Sequence, residues 1–546
     1  MKYLNFAFAL LISFQLMAQQ PAIDWYYSII QMDEAHNDLL SDKPSTTVVV
    51  AVIDSGVDVE HKDLKGNVWI NTDEIPGNGL DDDKNGYIDD MHGWNFLGNA
   101  DGTNVNGETL EITRLYADLR KKYKDANPEL LTKKQKIEYD RYIKYKEEVD
   151  SKRESNQANA DNLKMQKNFV TSMIDGYAKA IGDAEITEEY IDTTSVNIPG
   201  EFKNAIKELL VQYQAETGKS PTMADIKVVI EEELEAGIDH YESQANYYYN
   251  PDFNSRKIIG DDYNDQTERI YGNSDVEGPD AFHGTHVSGI IGAVADNNEG
   301  IKGIARDVQI MSIRTVPNGD EHDKDVANAI RYAVDNGASI INMSFGKGHS
   351  WNKQVVDDAV RYAEKNDVLL IHAAGNDGKD NDSTDNFPND KFEKPKGFLF
   401  WKKKEAKTWL EVGALSYNTG EGLAASFSNY GAKNVDVFAP GVHMFSTTPD
   451  DNYKIAQGTS MAAPVVAGIA AVLRSYYPAL TAKQVKSIIM ESSTPHNVRV
   501  KRPGSDEMIG FSSLSVSGGT VNLKSAVQLA AKTKGKKKIK KVKIRA

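Results

Sequence analysis

Cysteine is absent from all 546 residues. That excludes disulfides, a cysteine nucleophile and thiolate metal sites, and it leaves packing or bound ions to stabilise the fold. An excess of positive charge is missing too. The formal net charge is −17, which argues against a nucleic-acid partner, because binding phosphates needs a surface rich in Lys and Arg. Long apolar runs are equally scarce. The run from Phe6 to Leu16 is almost wholly apolar, but it is shorter than the roughly 20 residues that span a bilayer. It follows Met1-Lys2 and gives way to Met17-Ala18-Gln19. A basic start, a short apolar stretch and a small-residue site read as a secretory signal peptide over residues 1–18. The chain is therefore expected to be exported, to the periplasm, the cell surface or the medium, with no transmembrane segment later on.

What the chain does contain is a recurring grammar of short apolar runs. Residues 48–53 read VVVAVI and lead into Asp54-Ser55-Gly56, the pattern of a buried parallel strand ending in a tight turn. Val308–Ile313, Ile340–Met343 and Val368–Ala373 repeat it, separated by the helix-like stretches Asp325–Asn336 and Lys353–Asn366. Strands alternating with helices predict an α/β fold with a mostly parallel sheet flanked by helices. Between Gly107 and Asn250 the texture changes to Lys, Glu, Gln and Tyr with few glycines. Ile137, Tyr142, Tyr145 and Val149 are spaced to share a helix face, as are Phe202, Ile206, Leu209 and Leu210. The expected organisation is an α/β domain over 19–106 and 251–530, a helical insertion over 107–250 and a basic tail over 531–546. That tail, KTKGKKKIKKVKIR from Lys532 to Arg545, reads either as a solvated segment or as a contact with the envelope.

Three segments place a reactive side chain at the edge of an apolar element. In VVVAVIDSGVD Asp54 follows a strand and would lie at the carboxyl edge of the sheet, where α/β folds build their sites. Alone it reads equally as a turn residue. In HGTHVSGIIGAV His283 opens a helix whose small residues permit close packing. His286, one turn on, is assigned to the structure rather than to chemistry. In GTSMAAPVVAGIAAVL Ser460 starts a long Ala-rich helix, beside unpaired N–H groups that favour a developing anion. An N-cap is the ordinary reading of any one such serine. Together they are more specific, since an imidazole can take a proton from a serine hydroxyl while a buried carboxylate holds its tautomer.

In that order, Asp then His then Ser, the three segments resemble those of the subtilisin-like serine proteases. The resemblance spans about Val48–Asn104 and Pro251–Ala530 and omits the insertion. It implies a serine endopeptidase acting on protein or peptide substrates through an acyl-enzyme, with Asp54 orienting, His283 as general base and then acid, and Ser460 as nucleophile. It further implies that Asn376, in IHAAGND, donates to the oxyanion, and that Ser344, Phe345 and Gly346 form an edge for extended substrate. Two other readings differ from this at particular residues. A lipase or esterase would carry its serine in G-x-S-x-G, which Gly458-Thr459-Ser460-Met461-Ala462 does not match. A secreted binding protein on a protease scaffold without turnover is the other.

One cluster stands apart from these motifs. In GNGLDDDKNGYIDD the residues Asp81, Asp83, Asn85 and Asp89 alternate around Gly86, a spacing of oxygen ligands that suits a structural calcium ion. The twelfth position of a helix–loop–helix calcium loop falls on His92 rather than Glu, so the loop is not of that standard kind, and a solvated acidic loop is the alternative. No organic cofactor is expected.

Overall fold

The computed structural model describes residues 21–537, apart from 183, 195, 197 and 398–401. The expected signal peptide lies outside the described residues, as does the tail beyond Lys537. The chain divides into two compact units, Ile112–Phe253 and the remainder from Pro21; the sequence had put these bounds at 107 and 250.

The larger unit is built on a nine-stranded sheet. In chain order its strands are β1 (Val48–Asp54), β2 (Gly93–Asn95), β3 (Val308–Arg314), β4 (Ile340–Met343), β5 (Leu369–Ala373), β6 (Trp409–Leu415), β7 (Val437–Pro440), β8 (Thr494–Pro495) and β9 (Gly519–Thr520). Across the sheet they run β8-β9-β7-β6-β5-β4-β1-β3-β2. Every pairing is parallel except that of β8 with β9.

The runs that looked apolar throughout are apolar because both faces of the sheet are covered. Val48, Val50 and Val52 of β1 join Val308 and Ile310 of β3 and Leu369 and Ile371 of β5 on one face. There they pack against helix α1 (Phe282–Gly292) and helix α4 (Thr459–Tyr476). The intervening Ala51 and Ile53, with Met311, Ile313 and Leu370, point to the other face. That side is closed by helices α2 (Asp323–Asp335) and α3 (Lys353–Lys365). Upstream, Tyr26, Ile30, Met32 and Leu40 from the segment before β1 are buried in the first of these cores. Among the described helices α4 alone is long and apolar enough to cross a membrane, and 89% of it is buried inside the protein, which marks it as the core helix.

The smaller unit is helical. A 49-residue helix, Lys133–Ile181, starts at a capping box in which Thr132 accepts from the Gln135 backbone and the Gln135 side chain accepts from the Thr132 backbone. It runs against Met223–Ser243, and Lys164–Glu242, Lys167–Glu235 and Lys227–Asp175 ion pairs lace the two. Their order along the chain makes the pair antiparallel. Phe202, Ile206, Leu209 and Leu210 are buried together with Ile174, Ile226 and Ile230, the face that the spacing anticipated. Of the other set, Tyr142 and Val149 are buried, but Ile137 is 54% exposed. It lies within the first two turns of the long helix. Substituting Ile371→Ala, at a fully buried site, is expected to destabilise the fold by about 2–5 kcal/mol. Ile137→Ala is expected to change stability by less than about 0.5 kcal/mol. Denaturant unfolding of the two variants checks both.

Candidate active site

The chain passes from β1 to β3 on one side and then returns to lay β4 on the other side of β1. The carboxyl end of β1 is therefore the point where strand order reverses, the place where open α/β sheets leave a crevice. Asp54 is its last residue. Its Oδ1 accepts from the Ser55 backbone N–H at 2.8 Å, which fixes the carboxylate at the turn. Arg314, the register partner of Asp54 on β3, donates from Nε to the Ser55 carbonyl at 2.9 Å and holds that turn from below.

His283 is the second residue of α1. Helix α1 seats against the turn after β1 because Gly284 has no side chain: a Cβ there would lie 2.1 Å from the Gly56 carbonyl oxygen. With the helix this close, His283 Nδ1 donates to Asp54 Oδ1 at 2.6 Å. The carboxylate is 2% exposed and the imidazole 35%. Burial on its own pulls the imidazole pKa down, but the charge and hydrogen bond of Asp54, helped by Asp280, overcome it and hold the pKa above the ordinary 6.5.

Ser460 is the second residue of α4, just after Gly458, whose φ of +153° opens the helix. Its Oγ donates to the Ser344 carbonyl at 2.9 Å rather than to His283, while Ser344 Oγ donates to the Ser460 carbonyl at 2.8 Å. Asn376 follows β5. Its Oδ1 accepts from the Thr459 backbone N–H at 2.8 Å and from the Thr459 hydroxyl at 3.0 Å, and this turns the amide so that Nδ2 is free to donate. A Cβ on Gly458 would lie 3.4 Å from Asn376 Nδ2 and 3.6 Å from the Ser460 backbone nitrogen. Both nitrogens thus lie within van der Waals reach of the position a side chain on Gly458 would take. Asn429 supports the loop, accepting from the backbone of Asp377 and Lys379 and donating to the Ala374 carbonyl.

Ser344 is buried, Phe345 partly so, and Gly346 is exposed. They face the Ala373–Asn376 segment across Asn386, which donates to the carbonyls of Ala373 and Ala374 at 3.2 and 3.1 Å. The Asn386 Oδ1 would stand 2.6 Å from a Cβ on Gly346, so the Asn386 amide touches both segments. Sequence reasoning missed Asn386, Asn429, Thr459 and Arg314. Each is a polar residue defined by partners far away in the chain, and no local period marks it.

A family model described as the subtilase family matches residues 45–512. The chain belongs to the subtilase family. Among curated subtilases, Subtilisin DY of Bacillus licheniformis is 36% identical over 216 residues, 39% of this chain and 70% of that protein. A thermophilic serine proteinase of Bacillus sp. strain AK1 is 37% identical over 229 residues, 42% of this chain and 49% of that protein. Thermitase of Thermoactinomyces vulgaris is 37% identical over 196 residues, 35% of this chain and 61% of its own length. The matched part is therefore about half to two-thirds of the length of these relatives.

Elsewhere in this subtilase, His286 is fully buried and its Nε2 donates to the carbonyls of Met444 and Lys454 at 3.0 and 3.1 Å. Burial lowers its pKa to about 4, so it stays neutral and ties α1 to a neighbouring hairpin. The acidic loop is arranged differently from its spacing. Asp81 accepts from the backbone of Asn85 and Gly86, and Asp89 from that of Asn78 and Gly79. Asn85 Oδ1 accepts from the Tyr87 backbone. Asp83 likewise accepts from the Asn85 backbone, and it comes together with Glu74 and Asp90, ligand atoms of all three lying within 4.8 Å of one another.

The imidazole environment has a direct readout. In an NMR titration the His283 resonance is expected to move with a midpoint above 6.5. In Asp54→Asn the midpoint is expected below 6.5, because burial then acts without the compensating charge.

Proposed function

We propose that this subtilase is an exported serine endopeptidase that cleaves peptide bonds in protein or peptide substrates through an acyl-enzyme. The observation that carries the reading is the Asp54–His283 hydrogen bond; it is supported by Asn376 Nδ2 and the Ser460 backbone nitrogen both lying near Gly458 at the start of α4. With Nδ1 committed to Asp54, Nε2 of His283 is the nitrogen left to accept a proton. The Ser460 hydroxyl turns from the Ser344 carbonyl toward it, gives up its proton and attacks the scissile carbonyl carbon. The oxyanion that forms accepts from the Ser460 backbone N–H and from Asn376 Nδ2, each donor stabilising it by about 3–4 kcal/mol. His283 then protonates the leaving amine, the acyl-enzyme forms, and a water deprotonated by the same imidazole releases the acid. Ser344, Phe345 and Gly346 pair with the substrate backbone, which supplies affinity with little dependence on side chains.

Purified protein lacking residues 1–18 is expected to hydrolyse casein and to label with a fluorophosphonate probe. Ser460→Ala should abolish both, and Asn376→Ala should lower kcat by about 10²–10³-fold. The rate should rise with pH through the His283 midpoint above 6.5, since only the neutral imidazole accepts the proton. A folded protein that does neither would instead be the binding protein on a protease scaffold.

The acidic loop fits a hard cation. Three carboxylates converge at Glu74, Asp83 and Asp90, and oxygen donors are what calcium takes. These three would hold the ion, with Asp81, Asn85 and Asp89 shaping the loop around it; its contribution would be to stability, not to the chemistry. Chelation is expected to lower the melting temperature, and metal analysis of the untreated protein should recover calcium; an unchanged melting temperature with no metal recovered would exclude it.

A further inference from the structure

Directly after the Ser344–Gly346 segment comes a lysine that the peptide chemistry does not use. Lys347 is 4% exposed. Its Nζ donates to Glu111 Oε2 at 2.7 Å and to the Glu321 carbonyl at 2.6 Å, and lies 2.9 Å from Asp323 Oδ1 at the start of α2. Its backbone N–H donates to the Phe387 carbonyl and its carbonyl accepts from the Phe387 N–H, both at 2.9 Å. Phe387 adjoins Asn386, whose amide touches both Gly346 and the Ala373–Ala374 carbonyls. Lys347 is therefore tied through its main chain to the Asn386–Phe387 segment beside the substrate edge, and its side chain is anchored elsewhere.

That anchor is the root of the insertion. Glu111 is the last residue of the larger unit before Ile112, and the chain returns at Asn254. The root is itself immobilised: Glu108 accepts from the Ser255 hydroxyl and from His322 Nε2, the latter at 3.0 Å, and Arg256 donates to Asp325 at 3.0 Å. A buried ion pair adds little net stability over a well-packed apolar side chain of the same size. Its distinguishing property is direction, because a buried ammonium held by Glu111, Glu321 and Asp323 keeps its cationic end in one place.

We propose that Lys347 is a positioning residue that holds the substrate edge in register with the root of the insertion. This rests on the reading of Ser344–Gly346 as the edge that pairs with substrate. Residues outside that edge, and reagents too small to reach it, are then insensitive to Lys347.

The test uses the full chain from residue 19 with Glu111→Gln, Lys347→Met and Lys347→Arg. Three readouts are taken: KM and kcat for a peptide p-nitroanilide with four residues before the scissile bond, hydrolysis of p-nitrophenyl acetate, and the rate of fluorophosphonate labelling. Glu111→Gln and Lys347→Met are expected to raise KM for the peptide by about tenfold with little change in kcat, while acetate hydrolysis and labelling shift by less than about threefold; Lys347→Arg should restore most of the KM. An unchanged peptide KM in Glu111→Gln, in an enzyme that labels normally, would overturn the proposal even where Lys347→Met does not fold. So would a parallel fall of peptide, acetate and labelling rates. A wild-type chain that neither labels nor cleaves would remove the endopeptidase reading first, and this one with it.

Discussion

The site depends on a missing side chain. Helix α1 reaches the end of β1 only because Gly284 allows the Gly56 carbonyl within a distance that any Cβ would forbid. The 2.6 Å contact between His283 and Asp54 follows from that approach, and so does the raised imidazole pKa. Gly458 contributes differently: its φ of +153° is one that other residues rarely adopt, and it shapes the backbone that leads into α4. The reactive groups themselves are ordinary, and at Asp54 and His283 what makes them effective is how closely backbone can approach backbone.

Once α1 is seated, the rest of the sheet fixes the other partners. Helix α4 lies on the same face of the sheet as α1, and the buried Ala-rich sequence that gives it a membrane-like composition lets it press close to the strands. Asn376 is delivered by β5 and held by Thr459 at the first turn of α4, so a strand end and a helix start are locked together by one amide. The central strands are buried on both faces, which suits an architecture whose groups must keep their places to within fractions of an ångström.

Much of this was legible in the sequence, and for a local reason. Asp54, His283 and Ser460 each stand beside a long apolar run, so an element and its terminal side chain can be read from a dozen residues. The parallel sheet was equally legible from runs such as VVVAVI, whose lack of alternation signals two covered faces. What escaped was whatever depends on distant partners. Asn386 and Asn429 sit in loops, and only the fold shows that they bond to Ala373 and Ala374. In the acidic loop the alternation picks out Asp81, Asp83, Asn85 and Asp89, but short Asp side chains also satisfy nearby backbone N–H groups readily. Asp81, Asp83 and Asp89 all do so, and only the fold shows that Glu74 and Asp90, outside the pattern, lie beside Asp83. Ile137 fits its helical period yet remains exposed, since a period shows which residues share a face and not how far the covering partner extends.

The closeness of Glu108 to Ser255 bears on how the chain folds. Strand β1 pairs with β3, which arrives some 250 residues later in synthesis, so the centre of the sheet has to wait for a long excursion to be completed. The insertion has a hydrophobic core of its own, and its two ends emerge side by side. Once it has collapsed, the excursion no longer behaves as a long flexible loop, and the entropy of bringing β1 to β3 is that of a much shorter connection. The excursion thus turns a distant strand pairing into a nearly local one.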